Sequence, residues 1–197
     1  MEVINVQNRD FSMKAKKLRA KGLVPGSVFG RSLSESLSIQ MEKSVAQKIN
    51  QNLREGSKLH IKLNGKNIPV QIKEKSLHPL SGEVQNINFQ ALAADEIVNS
   101  VTHIMFVNDE KINGLVEKML FEVPYSSLPA DMIDTVTIDL EGMKPGVLIT
   151  VKDIPELNSD KIELKIDPDL LVLRISEKRG AIVSDEEEEA AVEEAEA

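Results

Sequence analysis

Five cations fall within eight residues in this chain: Lys14, Lys16, Lys17, Arg19 and Lys21. A helical turn carrying them breaks at Gly22, and the chain continues through Val24-Pro25-Gly26 into the apolar run Val28-Phe29-Gly30. Cations fixed at a set spacing beside a strand are what a phosphate backbone requires, because contact releases its condensed counterions. Taken alone, the run reads equally well as a solvated charged face. Other chemistry finds no frame. Gly26–Ser32 places three residues between its glycines and Arg31 where a phosphate loop needs Lys, so nucleotide hydrolysis is not expected. His60, His78 and His103 are scattered without metal-ligand or acid–base spacing, which favours surface or structural roles. The serines lack a nucleophile elbow, and the many carboxylates form no matched pair. No catalytic residue, metal site, cofactor or small-molecule substrate is expected.

The elements that must position the basic run follow from apolar periodicity. Val3–Val6 reads as an opening strand, with Arg9 just beyond it. Leu37–Met41 alternates apolar and polar residues, as a half-buried strand does. Val45, Ile49 and Leu53 recur every four residues, a helix ending near Gly56. Leu59–Leu63 and Ile68–Ile72 alternate on either side of Asn64-Gly65, whose residue types suit a tight hairpin turn. The polar face of that hairpin would carry His60, Lys62, Gln71 and Lys73. Val84–Leu92 sets Ile87, Phe89 and Ala91 against Asn86, Asn88 and Gln90. This half reads as a small β-barrel with one or two helices. Beyond Ala93-Ala94-Asp95, the apolar runs 101–107 and 115–123, the alternation 136–140 and a last strand 170–175 are punctuated by prolines. They predict a second β-rich domain. The expected division is 1–93, 94–180 and an acidic, disordered tail over 181–197, with eight Asp or Glu among the last thirteen residues.

Composition sharpens the split. The 197 residues are 41% hydrophobic and only 3% aromatic, with no Trp and no Cys. Disulfides, thiolate zinc sites and cysteine nucleophiles are thereby excluded, and a reducing cytoplasm is the expected location. No signal peptide opens the sequence and no run approaches a membrane span. The net charge of −8 hides an asymmetry. Residues 1–92 hold 15 Lys+Arg against 7 Asp+Glu, a net of +8; residues 93–197 hold 9 against 25, a net of −16. The first half could seek a polyanion and the second would be repelled by one.

The ordered motifs extend the reading. Lys16-Lys17-Leu18-Arg19-Ala20-x-Gly22-x-Val24-Pro25, then Val28-Phe29-Gly30, resembles the basic opening of the bacterial large-subunit ribosomal protein twenty-five family, also called the general stress protein Ctc family. Asn64-Gly65-Lys66, His78-Pro79 with Gly82, and Gln85-x-Ile87-x-Phe89 fall in that family's order. Leu128–Ile133, Leu140-x-x-Met143-x-Pro145-Gly146, Val151-x-Asp153-Ile154 and Asp167-Pro168-Asp169 are similar to its longer form, which appends a β domain. The likeness spans about residues 1–176. It implies binding to 5S ribosomal RNA through the N-terminal barrel, within the large subunit and beside neighbouring ribosomal proteins. Transferred to this sequence, Arg9, Lys16, Lys17 and Arg19 occupy basic positions of the RNA-facing surface. The basic face read from charge and strand alternation extends it to Lys14, Lys21, Arg31, Lys62, Lys73, Asn86 and Asn88, and Phe29 and His78 complete the candidate RNA-binding residues.

Departures from the family pattern bear on readout. Phe29 stands where the family has Tyr, keeping a ring without its hydroxyl. Ser76-Leu77 replaces Gln-Arg before His78-Pro79, and Asn86-x-Asn88 replaces His-x-Asp. Phosphate-driven affinity is expected to survive these changes better than base readout. The alternative expectation is a divergent stress protein with weakened RNA binding, acting through protein contacts of its acidic second domain.

Overall fold

The computed structural model describes residues 3–112 and 114–177. The acidic tail expected over 181–197 lies outside the described residues.

Six strands close into a barrel: β1 (Val3–Asn8), β2 (Leu23–Phe29), β3 (Leu37–Glu42), β4 (Lys58–Leu63), β5 (Lys66–Leu77) and β6 (Val84–Ala91). Their order around it is β1-β3-β2-β6-β5-β4. Two joints are parallel, β1 with β4 (Val3 opposite His60 to Val6 opposite Leu63) and β2 with β6 (Gly26 opposite Ile87). The other joints are antiparallel. The alternating residues of each strand fill the interior, where Val28, Ile39, Leu59, Ile61, Val70, Ile87 and Phe89 are fully buried. Each such side chain contributes about 1.5–3 kcal/mol relative to exposure. Between β1 and β2 lies the short helix α1 (Ala15–Ala20); between β3 and β4 lies α2 (Lys43–Asn52). Ala46 and Ile49 of α2 join the barrel core, with Val45 and Leu53 packed at its margin, so the four-residue period does close onto an apolar surface.

The Asn64-Gly65 turn is as its residue types demand. Both residues have positive φ, 50° and 82°, and Leu63 faces Lys66 across the hairpin. The turn twists with the strands it joins, which a left-handed pair allows. Further along β5 the register slips: Ile72 pairs with Phe89 but Glu74 with Asn88, leaving Lys73 as the extra residue of a bulge.

The second β-rich domain holds two sheets. β7 (Val98–Val107), β9 (Glu122–Ser127), β10 (Thr135–Asp139) and β12 (Ile162–Leu164) run in the order β10-β7-β9-β12. β8 (Leu115–Lys118), β11 (Leu148–Thr150) and β13 (Leu171–Ser176) run β11-β13-β8. Val123, Leu140, Val151, Val172 and Leu173 are buried in one cluster shared by the two sheets. Tyr125 is fully buried, its hydroxyl donating to Ile133 O at 2.9 Å and accepting from Ile133 N at 2.8 Å. A buried phenol requires such partners. The single run expected over 115–123 divides at Met119–Phe121: β8 and β9 belong to different sheets, and Phe121 packs edge-on against Phe106 with ring centroids 6.1 Å apart.

The barrel and the second domain meet along a mixed seam. Leu92, Val98 and Met132 form its apolar part. Lys58 Nζ donates to Pro129 O and Met132 O at 3.2 and 3.4 Å. His103, 6% exposed, approaches Glu55 O with its Nε2 at 2.9 Å. Gln71, expected on the polar face of the hairpin, is fully buried there: its amide donates to Gln90 Oε1 and Asn99 O at 3.0 and 3.1 Å. The outward parity of Gln71 was correct; what covers it is the second domain.

Candidate nucleic-acid interface

α1 is six residues long and has no side-chain N-cap, so it owes its place to Leu18, which is fully buried, rather than to local propensity. With Leu18 turned inward, Lys14, Lys16, Lys17 and Lys21 are exposed. Lys14, Lys17 and Lys21 follow the i, i+3, i+7 spacing of a single helical flank. Lys17 and Arg19 lie in the last turn, where the helix dipole favours cations. Arg19 reaches sideways, its Nη1 donating to Gln85 O at 3.4 Å, and so ties α1 to the start of β6.

Beside α1 the barrel's outer wall presents a continuous polar row. Arg9 N donates to Ser38 O at 3.0 Å; Ser38 faces Ser27, Ser27 faces Asn88, and Asn88 faces Glu74. The row thus runs from the residue after β1 across four strands, β3, β2, β6 and β5. Its centre is a closed set of hydrogen bonds: Asn88 Oδ1 accepts from Ser27 Oγ (2.8 Å) and Asn86 Nδ2 (2.9 Å), while Asn88 Nδ2 donates to Glu74 Oε2 (3.1 Å). Arg9 ends the row with its guanidinium carbon 5.8 Å from the Phe11 ring centroid and its Nε buried without a partner among the described residues. Phe29 is half-buried opposite Gln90, one step along the same outer wall. His78 sits in the loop joining β5 and β6, where its Nδ1 accepts from Leu80 N and Ser81 N at 3.3 and 3.2 Å. That loop also carries Glu83, whose carboxyl is held below the usual range by the Lys43 amine hydrogen-bonded to it. At the row's other end Asp10 is lowered by the hydroxyl and amide of Ser12. Asp10 and Glu83 flank the polar row and Glu74 lies within it, whereas the exposed flank of α1 carries cations without a carboxylate among them.

Two expected members fall elsewhere. Arg31 lies beyond the opposite end of β2 from α1 and pairs with Glu96 at 3.5 Å, in a cleft shared with Ala93 and Asp95. Lys73, thrown outward by the β5 bulge, donates to Asn99 O at 3.2 Å. Lys62 belongs to β4, which lies between β1 and β5 and on another wall from β2 and β6. These cations were grouped with α1 because they share the basic half; strand order sets Lys62 apart, Arg31 lies at the far end of β2, and Lys73, although it adjoins Glu74 of the row, is turned onto Asn99 O. Ser27, Ser38, Glu74 and Gln85 were missed; the two-residue period of their strands marks Ser27 and Ser38 as outward-facing, whereas Glu74 has the parity of an inward residue and faces outward only because the β5 bulge shifts the register.

Among the described residues no group of three or more His, Asp or Glu is placed to hold a metal ion. No helix among them is long and apolar enough to cross a membrane.

Comparison with known proteins finds two family models end to end. The ribosomal L25p family matches residues 4–89, and the C-terminal domain of ribosomal protein TL5 matches residues 97–179. Curated relatives span most of both chains. A large ribosomal subunit protein bL25 from Lachnoclostridium phytofermentans is 30% identical, with 81% of this chain and 83% of that protein covered. The bL25 of Caldanaerobacter subterraneus is 27% identical over 88% of each. That of Gloeothece citriformis is 26% identical, covering 95% and 97%.

Proposed function

This chain belongs to the ribosomal L25p family, the bL25 proteins in their long form, and from that premise we propose that it is a large-subunit ribosomal protein that binds 5S rRNA through α1 and the adjoining barrel wall. A ribosomal protein of this kind is not an enzyme, and a cytoplasmic ribonucleoprotein is its setting. The observation that carries the RNA reading is the exposed row of Lys14, Lys16, Lys17 and Lys21, anchored by Leu18 and continued by Arg19 onto β6. The division of labour is between positioning and readout. The α1 cations take the phosphates. Asn86, Asn88 and Phe29 offer amide donors, acceptors and a ring edge to 2′-hydroxyls and bases in an RNA groove. The domain limits of 1–93 and 94–180 fit the same reading, with the negatively charged second domain outside the RNA surface.

One observation favours the second reading, a stress-related relative with weakened recognition. Asn88 is occupied by three partners inside the protein, one of them the Glu74 carboxylate, so base contacts must compete with an existing network. A salt titration of the full chain on 5S rRNA and on a scrambled RNA of equal length separates the two. A tight, salt-dependent preference for 5S rRNA supports the first reading. Equal weak affinity for both RNAs rejects it and leaves protein contacts of the second domain as the working site.

A further inference from the structure

The longest open sheet edge among the described residues is that of β10, since the barrel is closed and β8, β11 and β12 are shorter. β10 runs parallel to β7, with Asp134 O accepting from His103 N and Leu140 N donating to Val107 O at its two ends. The alternation of a parallel ladder then turns the peptide groups of Thr135, Thr137 and Asp139 away from β7. No turn or side-chain hydrogen bond reaches the Thr137 peptide among the described residues. Alongside this edge runs a groove of about 290 Å³, with Ile138, Met143, Ile149 and Ile154 as its apolar surface. Its rim holds three carboxylates, Asp139, Asp153 and Glu156, and no Lys or Arg lines it. Asn108 hydrogen-bonded to Asp139, and Thr150 hydrogen-bonded to Asp153, hold those two carboxyls below their usual range, so the rim stays negative through neutral pH.

We propose that this groove receives an extended basic segment of a partner protein as an added strand on β10. The unpaired Thr137 N–H and C=O supply the ladder, alternate β-branched side chains enter the groove, and the intervening Lys or Arg residues meet the carboxylate rim. Charge complementarity selects the occupant. A nucleic acid would be repelled by this rim, and so would the chain's own last thirteen residues, eight of which are Asp or Glu. A second copy of β10 would bring Asp139 against the same carboxylates.

The test uses the full-length protein and a fluorescent seven-residue peptide alternating Lys/Arg with Val/Ile, beside a control with Glu and Asp in place of the cations. The expected result is salt-sensitive binding of the basic peptide only, with amide shifts at Thr137, Ile149 and Ile154. Thr137→Pro removes the edge N–H without touching the β7 ladder and should weaken binding at least tenfold. The surface variant Asp139→Lys/Glu156→Lys, which leaves the edge backbone intact, should weaken it as well. Absent binding by the wild-type chain, or binding unchanged in both variants, overturns the proposal. A concentration-dependent dimer abolished by Thr137→Pro would overturn it too, by seating a second copy on the edge.

Discussion

The two flanks of the barrel use the same residue types differently. On the α1 flank, Lys14, Lys16, Lys17 and Lys21 stand in solvent around one buried anchor, Leu18. On the seam flank, Arg31, Lys58 and Lys73 are turned onto Glu96 and the carbonyls of Pro129, Met132 and Asn99. A net charge of +8 over residues 1–92 is therefore two populations. One is open to an external polyanion. The other already meets the acidic domain of its own chain.

The comparison can be broken most directly on the open side. Reversing charge together at Lys16, Lys17 and Arg19 should weaken 5S rRNA binding by roughly 100-fold or more at about 100 mM salt. It should also flatten the slope of log K against log salt by about 2–3. Filter binding across a salt series reads both quantities, and circular dichroism checks that the barrel is intact. An unchanged slope would remove α1 from the interface.

On the closed side, the seam is most sensitive at Gly56. Its φ is +85°, and an added Cβ would lie 2.3 Å from Val101 O and 2.8 Å from Ser100 Oγ. Gly56→Ala should cost about 1–3 kcal/mol through strain and displaced contact. We expect a separated early transition in thermal denaturation, with RNA affinity kept within a few-fold. Loss of RNA binding in step with the seam would join the two flanks into one functional unit.

Lys75 sharpens the contrast by pH. Its side chain turns toward the end of the barrel, with Nζ donating to Leu53 O at 2.8 Å, and burial holds its amine below the ordinary lysine range. The unfolded chain keeps that proton up to the ordinary value of about 10.5. Between the depressed value and that one, unfolding takes up a proton, so stability should rise with pH there. Lys75→Met should remove that rise in urea titrations above neutral pH, whereas Lys17→Met should leave it in place. The smallest effect is expected from Arg31→Ala/Lys73→Ala: less than threefold on RNA affinity and no change in salt slope. A slope that falls by one or two would return these cations to the RNA face.

Local chemistry was legible in the sequence. Asn64-Gly65 forced the hairpin, Val45/Ile49/Leu53 marked the helix over the barrel, and alternation placed Asn86 and Asn88 outward. What it hid was non-local. Gln71 has the parity of an exposed residue and is buried because Asn99 comes from another domain. Ser100, Thr102 and His103 are buried on β7 although nothing in their types announces it. The run 115–123 looked continuous because the residues joining its two strands, Met119-Leu120-Phe121, are apolar, yet the strands serve different sheets. The candidate site suffered the same way: charge is read by summing along the chain, while strand order decides which cations share a wall.

The parallel joint of β1 with β4 carries a consequence for how the molecule is made. Val3–Val6 finds its partner only at His60–Leu63, and β2 waits for Gly26 to meet Ile87. The β4–β5 hairpin, by contrast, closes over two residues. Short loops close before long ones because their entropy cost is smaller. β1 is therefore among the last strands of the barrel to be fastened along its length, and a nascent chain that has not reached the end of β6 at Ala91 has no cylinder to close. Substitutions in β4 and β5 should slow folding, while substitutions at Ile4 and Val6 should chiefly hasten unfolding.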